Sequence, residues 1–200
     1  MMQMLHGLAY GFGLRIGKLS PLGRVFAALM GKHGDKVPFM GPQIHDHAMT
    51  VARVPARKFY FDAELLVAVQ MAVERWYGFD SYTVVPDAYN FEVEALGAKM
   101  IYSDMAMPTV DFTEPLITEN TNLDKLGPLN PTKGRIPMGV EAARIVHEKV
   151  AGPLATGFFC SPFSLICQAM YYPKAVRALR RDKVYASELF DFAENQAIFP

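Results

Sequence analysis

The sequence predicts an α/β protein, and three observations predict it. Strand-like and helix-like runs alternate along the chain, the strand-like runs are short, and Pro or Gly stands at most of the junctions. Short strands separated by amphipathic helices imply parallel pairing through helical crossovers, because antiparallel neighbours need only a tight turn.

The elements follow in order. Ser20-Pro21 opens a helix that runs through Met30, with Pro in the first turn where its missing N–H costs nothing, and Gly31 and Gly34 close it. Lys36 to Gly41 reads as a first strand. From Asp62 to Tyr77 the residues Leu65, Leu66, Val69, Val73, Trp76 and Tyr77 recur at helical spacing, with Asp62 as N-cap and Gly78 as the stop. Ser81 to Val85 is β-branched and aromatic and ends at Pro86, as a buried strand does. Phe91 to Gly97 forms a short helix, and Lys99 to Thr109 an extended segment or hairpin arm. A polar stretch from Asp111 to Arg135 is too long for a simple connector. A helix over Val140 to Val150, a strand over Pro153 to Phe159, and helices over Pro162 to Tyr171 and Pro173 to Arg181 complete the alternation.

Composition narrows the function. Lys plus Arg and Asp plus Glu are balanced at 20 each, so no net charge draws the protein to nucleic acid or to an anionic membrane surface. The opening stretch, residues 1–19, lacks a basic region before its apolar part and reads as an N-terminal arm rather than a secretion signal. No apolar run reaches the roughly 20 residues that span a bilayer. Cys160 and Cys167 are the only two cysteines. That usage fits a reducing cytoplasm, and their separation matches no zinc spacing, so both are expected to pack as small apolar groups.

Three stretches carry a family resemblance: Asp35-Lys36-Val37-Pro38, Glu94-Ala95-Leu96-Gly97, and Gly157-Phe158-Phe159-Cys160-Ser161-Pro162-Phe163-Ser164-Leu165. In this order and spacing they resemble the uroporphyrinogen decarboxylase superfamily. The last is the most specific, because its Pro and aromatic residues start a helix at a strand mouth. The resemblance runs from about Ser20 onward. It implies that residues 20–200 are the N-terminal, incomplete portion of a (β/α)8 TIM barrel, with strands near Val37, Val84 and Thr156.

The residues select a branch of that superfamily. The decarboxylases hold the carboxylates of a porphyrinogen with two arginines after the first strand, and here Gln43 and His47 stand in those places. Gln does not neutralise a carboxylate, and His does so only when protonated. Glu92-Val93-Glu94-Ala95-Leu96-Gly97, after Pro86-Asp87-Ala88-Tyr89-Asn90, is similar instead to methyltransferase-like members. The resemblance therefore implies a methyltransferase acting on a small methylated substrate, with cobalamin carried by a separate corrinoid protein. A homodimer is compatible with it. Zinc, where related enzymes bind it through a His-x-Cys pair and a later Cys, would be held by residues this chain does not contain. Two other readings stand beside it. One is a true decarboxylase, with Asp87 central and Arg53 or Arg57 replacing the arginines. The other is a half-barrel binding subunit without catalysis.

Catalytic residues of such barrels sit at the C-terminal ends of strands. That rule and the resemblance give His45, His47 and Asp87 as candidate catalytic groups, with either histidine supplying a proton to the leaving group. Gln43, Tyr89, Asn90, Glu94, Phe158 and Phe159 are candidate substrate-binding residues. His45-Asp46-His47 is a weak metal motif, since neighbouring strand positions face opposite ways and only a loop would converge them, so no metal ligand is assigned. Glu92 and Glu94, two apart on a helix, address different faces.

Overall fold

The computed structural model describes residues 19–41, 44–83, 87, 89–149, 154–156 and 160–197. The first helix, α1 (Pro21–Leu29), is capped as its sequence requires: the Ser20 hydroxyl accepts from Gly23 N at 3.0 Å, and Pro21 fills the first turn. Its buried Arg24 donates to Asp80 at 2.7 Å and to Asp35 at 2.8 Å. The Asp80 carboxylate also accepts from Phe39 N at 2.8 Å. These bonds fasten α1 and the 35–39 segment to the start of the first strand.

Two helices follow in a segment to which the sequence assigned no element: α2 (His45–Ala52) and the one-turn α3 (Ala56–Phe59). Next comes α4 (Ala63–Tyr77), capped by Asp62, whose carboxylate accepts from Leu65 N at 3.0 Å, and stopped by Gly78 at φ 72°. Its bounds match expectation, but its buried face differs. Trp76 and Tyr77, expected inside, are exposed, while Gln70 and Glu74 are buried among Leu66, Val67, Met71 and Val73.

Strand β1 (Ser81–Thr83) is followed by α5 (Phe91–Ala95) and the antiparallel pair β2 (Met100–Ile101) and β3 (Thr109–Val110), which realises the expected hairpin arm. After a long loop come α6 (Ile136–Lys149), β4 (Leu154–Thr156), α7 (Pro162–Met170), α8 (Tyr172–Arg181) and α9 (Lys183–Ala197). Helix α9 lies in a segment for which no element was expected.

Strands β1 and β4 pair in parallel, in the register Ser81↔Leu154, Tyr82↔Ala155 and Thr83↔Thr156. A parallel bridge between Met40 and Ser81 lies on the other side of β1. The expected strand over Lys36 to Gly41 is thus reduced to a single bridge. Gly41 is required there, since a Cβ would overlap the Phe79 ring. Parallel pairing with helical crossovers makes the protein α/β and helix-rich.

Two cores result. One joins α2, α3, α4 and α6 around Phe59, Tyr60, Leu66 and Val146; the other joins α5, β3, α7, α8 and α9 around Val93, Ile117, Ile166, Met170 and Leu189. Among the described residues no helix is long and apolar enough to cross a membrane.

Candidate functional site

Asp87 follows β1 by four residues, and Arg135 immediately precedes α6. Because α6 leads into β4, its N-terminus lies at the end of the layer where β1 finishes. This brings Asp87 and Arg135 together although they are 48 residues apart in sequence: Arg135 Nη2 donates to Asp87 Oδ2 at 2.6 Å. Arg135 Nε donates to Glu94 Oε2, also at 2.6 Å, and Tyr102 Oη donates to Glu94 Oε1 at 2.8 Å. The Arg135 and Asp87 side chains are 2% and 0% exposed, so the pair is fully desolvated.

Both carboxylates are needed. A cation at a helix N-terminus opposes the helix dipole, and a buried guanidinium is costly unless its hydrogens are matched. Phe91 and Phe61 add ring faces 5.0 Å and 5.8 Å from the guanidinium carbon. Nη1 of Arg135 is buried and finds no hydrogen-bond partner among the described residues.

Asp87 Oδ1 is equally occupied. It accepts from Tyr89 N at 2.9 Å, Asn90 N at 3.1 Å and Asn90 Nδ2 at 3.1 Å. Asn90 Nδ2 also donates to Pro108 O at 2.7 Å, which ties the β2–β3 arm to this mouth. The Asn90 amide donor is therefore spent inside the protein, whereas Tyr89 projects outward at 51% exposure.

Glu92 and Glu94 do address different faces. Glu94 holds Arg135, while Glu92 accepts from Cys160 N at 2.7 Å beyond β4. Burial, and then the nearby charges of Glu92 and Asp87, push the Cys160 thiol up to about 12. Cys160 and Cys167 are both buried and unpaired, as packing residues would be. The Tyr102 hydroxyl is raised to about 12, by burial first and then by its bond to Glu94.

The two histidines part company. His45 is buried at the start of α2. His47 is exposed, and its Nε2 lies 2.8 Å from the Tyr77 hydroxyl, at the end of α4 that precedes β1. Asp87 lies on the segment after β1, and no described hydrogen bond or ring contact joins it to His47. Between the histidines, Asp46 accepts from Tyr60 Oη at 2.6 Å and from Met107 N at 2.9 Å. Burial first, and then this bond, hold the Tyr60 hydroxyl protonated, and it also feels the charges of Asp87 and Arg135. His45, Asp46 and His47 thus diverge, and among the described residues no group of three His, Cys, Asp or Glu converges to hold a metal. Gln43, Phe158 and Phe159 lie outside the described residues.

A cavity of about 370 Å³ opens over Tyr89 and Asn90, between the β2–β3 arm and the C-terminal end of α7. A larger one, about 620 Å³, lies between the 121–128 loop and α9 and is lined by none of the candidate residues.

Arg135 is the site residue that sequence reasoning missed. Its partners Glu94 and Asp87 lie 41 and 48 positions away, so no local spacing connects them. The signal was only a basic residue directly before a helix, where the dipole disfavours it.

The buried ionic cluster stands at the strand-mouth end of the α/β layer, the end at which barrel folds gather their functional residues. The sequence matches the uroporphyrinogen decarboxylase (URO-D) family over residues 20–198, and the chain belongs to that family. Among solved structures, a methyltransferase from Methanosarcina mazei shares the fold, with a TM-score of 0.70 and 22% sequence identity over 90% of this chain. The chain spans 54% of that methyltransferase's length. A search of curated proteins finds no match.

Proposed function

We propose that the chain is the opening part of a (β/α)8-barrel methyltransferase that moves a methyl group between a small methylated substrate and cobalamin carried by a separate corrinoid protein. The observation that carries this reading is the commitment of Arg135. The buried guanidinium at the strand mouth is held by Asp87 and Glu94, so the cluster is one positive group against two negative ones. A polycarboxylate substrate such as a porphyrinogen would be repelled there. Arg57, one of the two alternatives to the missing arginines, hydrogen-bonds Tyr102 O at 3.1 Å and pairs with Asp104 at the surface. The fold shared with a methyltransferase points the same way.

Within this reading the corrin supplies a strongly nucleophilic or methyl-donating centre when its carrier docks. The chain's own residues bind and orient the substrate. Asp87, fixed by Arg135 and three N–H donors, sets the position of Tyr89 and Asn90 at the cavity wall. Of the two candidate proton donors, His45 is buried at the start of α2 and is not among the described residues that line this cavity, so no proton-delivery step is assigned to it. His47, engaged with Tyr77, serves the surface of α2 rather than the reaction. The divergence of His45, Asp46 and His47 does not suit zinc, so no step is routed through a metal in this chain.

The test is transfer of a labelled methyl group from candidate donors to a reduced corrinoid protein, run beside an assay for coproporphyrinogen formation from uroporphyrinogen. Labelled corrinoid supports the proposal. Coproporphyrinogen with unlabelled corrinoid would replace it with the decarboxylase reading.

A further inference from the structure

Helix α8 turns Ala175 and Ala178 into the core it shares with α7 and α9, and presents Lys174, Arg177, Arg180 and Arg181 to solvent. At about 100° per residue these four cations fall within an arc of about 120° and along about 10 Å of helix axis. Between Ser161 and Arg181 the sequence carries no acid, although the chain has 20 acids in 200 residues. Asp182, the first acid after the stripe, is taken up in capping α9, where it accepts from Val184 N at 2.9 Å and Tyr185 N at 3.1 Å.

Local chemistry explains only part of this stripe. The helix dipole favours cations in the last turn, which accounts for Arg180 and Arg181, but it opposes Lys174 in the first. Other exposed cations meet acids: Lys99 meets Glu114, Arg144 meets Glu141 and Glu148, and Lys149 meets Glu64. Among the described residues none of the four on α8 has an ion-pair partner.

Charge selects what can lie over this face. Burying unmatched guanidinium groups against apolar surface is costly, so only water or a surface bearing anions fits it. Three of the four cations are arginines, whose planar fork takes a carboxylate with two parallel bonds. A balanced net charge and a stripe of about two turns do not make the continuous basic track that nucleic acid or an anionic membrane requires. Tyr172, in the first turn of α8, lines the cavity over Tyr89 and Asn90, so a protein seated on the stripe stands beside the strand mouth.

We propose that the exposed basic face of α8 is a docking surface for an acidic face of a partner protein. The inference deepens the methyltransferase reading, on which it rests for the partner's role: the corrinoid carrier is that partner, guided to the strand mouth by charge.

Fluorescence anisotropy of a labelled oligoglutamate peptide, run beside duplex DNA and phosphatidylglycerol vesicles, tests the surface, and the KM for the reduced corrinoid protein tests the partner. The peptide binds saturably and more weakly as salt rises, whereas DNA and vesicles do not bind. Arg177→Glu with Arg181→Glu weakens peptide binding about tenfold and raises the KM for the corrinoid protein about as much. The kcat and the melting temperature stay unchanged, because both side chains are exposed. Lys32→Glu with Lys36→Glu, exposed charges beyond α1, changes neither binding nor KM. No peptide binding, a peptide affinity or KM indifferent to the α8 variant, or DNA or vesicle binding that this variant abolishes overturns the proposal. Peptide binding lost in the α8 variant, with no methyl transfer from any donor, would instead overturn the methyltransferase reading and leave the docking surface standing.

Discussion

Arg135 Nη2 and Asp87 Oδ2 meet at 2.6 Å with both side chains withdrawn from solvent, and through this one contact the long 111–135 loop is joined to the segment leaving β1. Removing one member of such a pair strands the other as a buried charge. Arg135→Met is therefore expected to destabilise the protein by about 3–5 kcal/mol, read as a lower urea midpoint with unchanged slope. Adding Asp87→Asn and Glu94→Gln to that variant recovers part of the loss, since the repulsion between the two carboxylates disappears with them.

Gly41 lies where the Phe79 ring leaves no room for a Cβ. Gly41→Ala is expected to cost about 1–3 kcal/mol through overpacking. Phe79→Leu in the same chain relieves the overlap, so the double variant is expected to unfold at a higher temperature than Gly41→Ala alone.

Helix α4 depends on its cap. Asp62→Ala removes the acceptor for Leu65 N and is expected to lower stability by about 1 kcal/mol, while Asp62→Ser keeps most of it. Chemical denaturation of the three proteins gives the comparison.

Stability is expected to fall at alkaline pH. The Cys160 thiol and the Tyr102 hydroxyl are both raised to about 12 in the fold. Above the ordinary thiol pKa, which is about 8.5, the unfolded chain loses protons that the folded chain keeps, so stability declines as pH rises. The contribution is fully present below that pH and lost by about 12. Cys160→Ala makes the decline in melting temperature between pH 8 and 11 shallower, on the same linkage. A steeper decline would show that the thiol is not held protonated by the fold.

The sequence made legible what local chemistry determines. Ser20 and Asp62 announced their helices because caps act within one turn, and the β-branched run at Ser81 announced a strand that pairs in parallel with β4. What it hid was set by distant contacts. Helix α2 was obscured by His45-Asp46-His47, which reads as a polar loop until Asp46 is seen to hold Tyr60 and the Met107 amide. The buried face of α4 was misjudged because Gln70 and Glu74 lie inside and Trp76 outside, the reverse of their polarity. Glu94 and Asp87 were picked out by motif and strand position, yet their shared cation, Arg135, stands in a segment with no pattern of its own.

The proposed function requires that cation to be already engaged. Calorimetric titration of the protein with uroporphyrin, an eightfold carboxylate, tests this most directly: no saturable binding is expected, because the site presents more negative than positive charge. Tight, salt-sensitive binding that Arg135→Lys weakens would mean that Arg135 grips substrate carboxylates after all, and would contradict the account.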